Sequence, residues 1–97
     1  MEGTAAGPRE RMLRRYLSLI DMVAEAAERE GNHDEAARLL DLGIAADALD
    51  ERRYVRLADL LMTQGRANAA RQVAERGLAV FGELGLPPGA ELLRLRG

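Results

Sequence analysis

Few residues of this chain have the type and spacing to do chemistry. Its one histidine, His33, lies between Asn32 and the acidic pair Asp34-Glu35. A metal site would need further ligands converging there, and the sequence offers none at ligand spacing. The hydroxyls of Thr4, Ser18 and Thr63 have no histidine placed as a base, so a nucleophile triad is not expected. With no cysteine in the chain, thiolate zinc, iron–sulfur and disulfide chemistry are excluded. Most glycines stand singly where helices should end, which is not the pattern of a phosphate-cradling loop. No catalytic residue, cofactor or metal ligand is expected, and the chain does not read as an enzyme. What remains is pairing between guanidinium groups and carboxylates. All 14 basic residues are arginine, set against 16 Asp and Glu, for a net charge of −2. Such a balance gives no general affinity for nucleic acid, and the absence of lysine reads mainly as GC-rich codon usage.

The elements that must position these charges are helices. Hydrophobic residues make up 47% of the 97 positions but aromatics only 3%. Alanine, leucine, arginine and glutamate favour helix, and the β-branched residues that favour strands are scarce. The length allows one small core. We therefore expect a single all-α domain over residues 9–97, preceded by a disordered arm or linker over 1–8. The longest uncharged stretch, Leu84 to Ala90, is far too short to span a membrane. Residues 1–8 lack the apolar run of a signal peptide, so a cytoplasmic, membrane-free protein is expected.

Periodicity predicts five helices. The first runs from about Arg9 to Glu30, with Leu13, Tyr16, Leu17, Ile20, Val23, Ala24 and Ala27 as one apolar stripe. The second starts at Asp34 and ends near Asp47. The third follows Asp50 as N-cap and closes at Gly65. The fourth runs from about Arg66 to Gly82, before the stop Gly85-Leu86-Pro87-Pro88-Gly89. A short fifth helix, Ala90 to Arg96, offers Leu92, Leu93 and Leu95 for docking.

The chain also resembles itself at a shift of 34 residues, the tetratricopeptide period. Gly31 falls on Gly65, Ala36 on Ala70 and Gly43 on Gly77; Ile20, Val23 and Ala24 fall on Tyr54, Leu57 and Ala58. The glycine pair Gly31/Gly65 marks the turn within each hairpin. Ala36 and Ala70 mark the closest helix crossing, and Gly43 and Gly77 the next close contact. The expected architecture is a tetratricopeptide-like stack of two antiparallel helical hairpins, about 17–50 and 51–84, plus a short C-terminal capping helix. His33 and Ala67 replace the tyrosine usual after the turn glycine, and Ala48 replaces the proline usual between repeats.

Longer runs extend the likeness to a particular family. Arg9-Glu10-Arg11 and Tyr16-Leu17 open it, and Gly31-Asn32-His33-Asp34-Glu35-Ala36 continues it at the first turn. Asp47-Ala48-Leu49-Asp50-Glu51 and Gly65-Arg66 through Ala70 follow. Glu83-Leu84-Gly85, Pro88 and Glu91-Leu92 close it in the order E-L-G-x-x-P-x-x-E-L. Together these resemble the bacterial transcriptional activator domain, the tetratricopeptide-like module of actinobacterial antibiotic-pathway regulators, over about Arg9 to Leu95. Ala90 stands where that family often has a second proline. The resemblance implies a module for dimerisation and regulation that usually follows a winged helix-turn-helix domain. No such DNA-binding segment is read in these residues.

On this reading the surface that matters is the concave one. Ser18, Asp21, Met22, Glu25 and Glu28 would line it from the first helix, and Arg52, Val55, Arg56, Asp59 and Met62 from the third. A partner segment with a basic end over the first helix and an acidic end over the third would fit. The plainer alternative is that Asp21 and Glu25 pair with Arg52 and Arg56 across the hairpins, each pair contributing about 0–1 kcal/mol. The cluster Arg9, Arg11, Arg14 and Arg15 reads as solvation of the first helix. The fifth helix would cap one end of the stack, leaving the other open to a second copy or a neighbouring domain. The expected function is protein–protein interaction and oligomerisation within a regulatory protein, the alternative being a peptide-binding adaptor unrelated to transcription. A protein or neighbouring domain is the expected partner, and neither nucleic acid nor a membrane is.

Overall fold

Gly31, Gly65 and Gly85 punctuate the fold. Each sits in the left-handed region, at φ of 79°, 76° and 67°, where a side chain would be strained. Each ends a helix in the same way. The Gly31 N–H donates to the Glu28 carbonyl and the Asn32 N–H to the Ala27 carbonyl. Gly65 and Arg66 donate to Met62 and Leu61, and Gly85 and Leu86 to Gly82 and Phe81. These paired bonds satisfy carbonyls that a helix end otherwise leaves open.

The computed structural model describes residues 7–96. In it the helices are α1 (Pro8–Arg29), α2 (His33–Ala46), α3 (Glu51–Thr63), α4 (Ala67–Glu83) and α5 (Ala90–Arg96). No strand occurs among the described residues. Residues 1–6 of the expected arm lie outside them, and Gly7 and Pro8 already belong to the start of α1, with Pro8 in its first turn. α2 begins one residue earlier than expected because Asn32, not a later residue, caps it: its side-chain oxygen accepts from the Glu35 N–H. Asp50 caps α3 as expected, accepting from the Arg52 N–H.

α1 pairs with α2 and α3 with α4 as antiparallel hairpins; α2 packs on α3, and α5 packs on both α3 and α4. The result is a slab with principal extents of 51 × 34 × 17 Å. Its thickness depends on small residues. Ala24, Ala36, Ala58 and Ala74 are wholly buried, and Ala70 nearly so. Gly43 and Gly77 clear space for the next helix along. A Cβ on Gly43 would lie 2.7 Å from the Arg53 Cδ, and one on Gly77 would lie 2.9 Å from the Tyr54 ring and 3.2 Å from Leu92.

Leu92 is fully buried and fixes α5 to the stack, whereas Leu93 stays 42% exposed. The N-terminus of α5 is held from α3, where the Glu51 carboxylate accepts from the Gly89 N–H at 2.5 Å. The apolar stripe expected on α1 divides. Leu17, Ile20, Ala24 and Ala27 are buried, but Leu13, Tyr16 and Val23 are 40–50% exposed. The cause is position in the stack: a hairpin partner covers one side of α1, and among the described residues no earlier helix covers the other.

Two glycines inside α4, one packed and one open, should respond oppositely to substitution. Gly77→Ala gains helix propensity worth about 1 kcal/mol but drives a methyl into the buried Tyr54 ring, with a net loss of about 1–2 kcal/mol. Gly82→Ala meets nothing within 4 Å and should stabilise by about 0.5 kcal/mol. Urea denaturation of the two variants beside the parent measures both.

Candidate partner-binding surface

α1 and α3 lie on the same side of the slab, and their facing side chains are joined by charge. At the centre is Arg53, only 4% exposed. Its guanidinium grips Asp21 of α1 through two hydrogen bonds of 2.9 Å, from Nε to Oδ1 and from Nη2 to Oδ2. Nη1 reaches Asp50 at 3.3 Å. This fork matches carboxylate geometry, which an ammonium group does not. One turn along α3, Arg56 donates to Glu28 at 3.2 Å and approaches Asp21 at 4.0 Å.

The expected cross-hairpin pairing is therefore redistributed. Arg52 turns to Asp50 on its own side at 2.7 Å, and Glu25 turns to Arg29 at 3.4 Å. Only Asp21 with Arg56 keeps the expected partnership, at its longest distance. The dominant residue, Arg53, was not foreseen. Its position is 34 residues after Leu19, and an arginine at a repeat site that is apolar in the preceding helix was the available signal.

Of the expected groove residues, Ser18, Met22 and Glu25 on α1 and Arg52, Asp59 and Met62 on α3 are exposed. Asp21, Glu28 and Arg56 are half-buried within the ion pairs. Val55 is buried and does not line the surface. α3 is packed by α2, α4 and α5 together, which leaves that apolar flank no opening. Between the helices remains a shallow hollow of about 280 Å³ bordered by Arg14, Ser18, Asp21, Asp47 and Arg52.

The pairing shifts ionisation locally. The hydrogen bond from Arg52, with further help from Arg53, holds the Asp50 carboxyl below its ordinary value against the opposing effect of burial. On the opposite face, Arg76 stacks over the Tyr54 ring at 5.8 Å and bonds to Asp41 at 2.8 Å. Burial raises the Tyr54 phenol, and Arg76 offsets part of that rise. The Tyr54 hydroxyl donates to the Ala48 carbonyl at 2.8 Å, tying the interhairpin loop to the core. His33 is the first residue of α2 and is half-buried. Among the described residues no group of three or more His, Asp or Glu side chains is arranged to hold a metal ion.

A thin stack of antiparallel hairpins, with a charged inner surface and small residues at its crossings, defines an α-helical repeat module of tetratricopeptide type. The chain matches the bacterial transcriptional activator domain over residues 2–97 and belongs to that family. It is accordingly a regulatory domain associated with transcriptional activators. No curated protein and no solved structure matches it. Among the described residues no helix is long and apolar enough to cross a membrane.

Arg53→Ala should destabilise by about 3 kcal/mol, because it leaves Asp21 and Asp50 facing each other without their shared partner. Arg56→Ala, at a partly solvated pair, should cost less than about 1 kcal/mol. The depressed Asp50 carboxyl contributes stability that is fully present above its ordinary value near pH 4 and is lost as pH falls through its lower folded value. Acid titration of stability should therefore show a decline below about pH 4, and Asp50→Asn should flatten that part of the curve.

Proposed function

We propose that this chain is a protein–protein interaction and oligomerisation module of a transcriptional regulator, acting in the cytoplasm. The α1–α3 face is the surface that meets a partner protein or a neighbouring domain. The observation that carries this reading is family membership over nearly the whole chain, joined to a surface on which opposite charges are already matched. Asp21 and Glu28 are committed to Arg53 and Arg56, so a partner competes poorly for those charges. The side chains left to it are chiefly Met22 and Met62, 63% and 53% exposed, flanked by Glu25, Arg52 and Asp59. Methionine adapts its shape to the residue opposite at little cost, which suits a surface for a helix or an extended segment.

Direct contact with nucleic acid is not part of the proposal. At 100° per residue, Arg11, Arg14 and Arg15 share an arc of about 100° at the start of α1, with Arg9 on the other side. A patch confined to little more than one turn is short for following a phosphate backbone, and the net charge of the chain is −2.

The test is made in the bacterium that carries the gene. Replacing Asp59 by arginine and Met62 by glutamate together alters two exposed side chains of α3 and should leave the purified protein's melting curve unchanged. Transcripts under the regulator's control should shift toward their level in a deletion strain. Unaltered transcripts with normal protein abundance would sink the assignment of the α1–α3 face.

A further inference from the structure

α2 and α4 do not pack on each other; each rests on α3, and a channel runs between them on the face opposite the α1–α3 surface. Its floor belongs to the core. Leu57 and Leu61 of α3 lie beneath one hollow of about 430 Å³. Ile44, Tyr54 and Val80 border a second of about 450 Å³. The ion pair between Arg76 and Asp41 crosses between the two and borders both. From Arg66 to Val80 the channel follows α4 for roughly 20 Å.

The charges around the channel are uneven. Arg38, Arg66 and Arg76 stand at the first hollow against the single carboxylate of Asp41. Arg38 is held by Glu35 of its own helix at 2.7 Å, and Arg76 by Asp41 at 2.8 Å while stacked on Tyr54. Both pairs are open to water, where such pairing is weak and gives way to a better-placed acceptor. Arg66 is exposed and has no ion pair or side-chain hydrogen bond among the described residues. The contrast with the α1–α3 face is direct, because there the buried Arg53 is already committed to Asp21 and Asp50. The second hollow adds no charge beyond the Asp41–Arg76 pair.

An apolar floor with guanidinium groups on its rim is the anatomy of a protein-binding surface. An arginine cluster recognises acidic segments through forked hydrogen bonds. Hollows of this volume take side chains rather than a whole helix, which is about 10 Å across. An extended segment covers roughly 20 Å in about six residues. A nucleic acid, negative at every step, would bring phosphates against Asp41 and leave the apolar hollow unfilled. We infer that the α2–α4 channel binds an extended acidic segment of a partner protein. Its carboxylates meet Arg66, Arg38 and Arg76, and a large apolar side chain sits against Ile44, Tyr54 and Val80. This surface is distinct from the α1–α3 face, and its test does not depend on the assignment of that face.

The probe is a fluorescent peptide of about eight residues, with glutamates in its first half and leucine and phenylalanine in its second. Fluorescence anisotropy with the full chain should show saturable binding at micromolar concentration. Arg66→Glu should weaken it roughly tenfold. Ala45→Glu, which adds a charge beside the apolar hollow, should weaken it similarly. Both positions are exposed, and both variants should fold as the parent does. Asp41→Asn frees Arg76 and should tighten binding a few-fold, a gain that loss of folding cannot produce. The pair Asp59→Arg with Met62→Glu, on the α1–α3 face, should bind like the parent, so the two readings fail separately. Amide chemical shifts should move along α2 and α4 and leave α1 largely unmoved. No saturable binding of the peptide at near-millimolar protein would overturn the inference. Equal affinity for an all-glutamate peptide would overturn it too, since the apolar hollow would then contribute nothing. Tighter, Arg66-dependent binding of a fluorescent oligonucleotide would overturn it in favour of a phosphate chain.

Discussion

One guanidinium joins the two hairpins. Arg53 leaves α3, crosses the space that Gly43 of α2 keeps open, and ends on Asp21 of α1 and Asp50 of the interhairpin loop. Three parts of the chain are thereby held by one side chain. A charge taken out of water is costly unless nearly every donor is matched, and here Nε, Nη1 and Nη2 each have a carboxylate oxygen within 3.3 Å. The angle between hairpins follows from this arrangement. Purely apolar packing would allow α3 to slide along α2, whereas a fork on a carboxylate has one good register. Gly43 is then a requirement of the arginine rather than a weakness of α2.

The second joint uses the same logic with a different filler. Gly77 of α4 faces Tyr54 and Leu92, so a ring and a leucine take the space that an arginine occupies at the first joint. The Tyr54 hydroxyl, bonded to Ala48, ties the core to the loop that carries Asp47 and Asp50. Ala48 stands where related repeats place a proline, and proline would stiffen that loop through its fixed φ. In this chain the stiffness comes from the tyrosine hydrogen bond and from the Asp47 side chain, which accepts from the Leu49 N–H.

Much of this was legible in the sequence, for reasons that can be named. Helix ends were readable because Gly31, Gly65 and Gly85 are required by backbone conformation, a local property. The crossings were readable because Ala36/Ala70 and Gly43/Gly77 recur at one period, and only small side chains serve there. The surface was less readable. Charge patterns on helices give the face but not the choice among several partners within reach, so Arg52 was matched to α1 when Asp50, two residues away, was nearer. Arg53 was missed because an arginine inside a core contradicts the usual ordering of residues by burial. Val55 and the outer half of the α1 stripe were misassigned for one shared reason. Amphipathic spacing shows that a face is apolar, and only the position of the helix in the stack decides whether anything covers it.

That position also separates the two ends of the slab. At the C-terminal end, α5 seats Leu92 against α4 and is fixed by Glu51, so the α3–α4 face on which it packs is covered. At the N-terminal end the equivalent face of α1 has no such cover among the described residues, and Met12, Leu19 and Val23 stay half or more exposed. One leucine on a seven-residue helix thus decides which residues count as core at one end, and the lack of an equivalent decides it at the other.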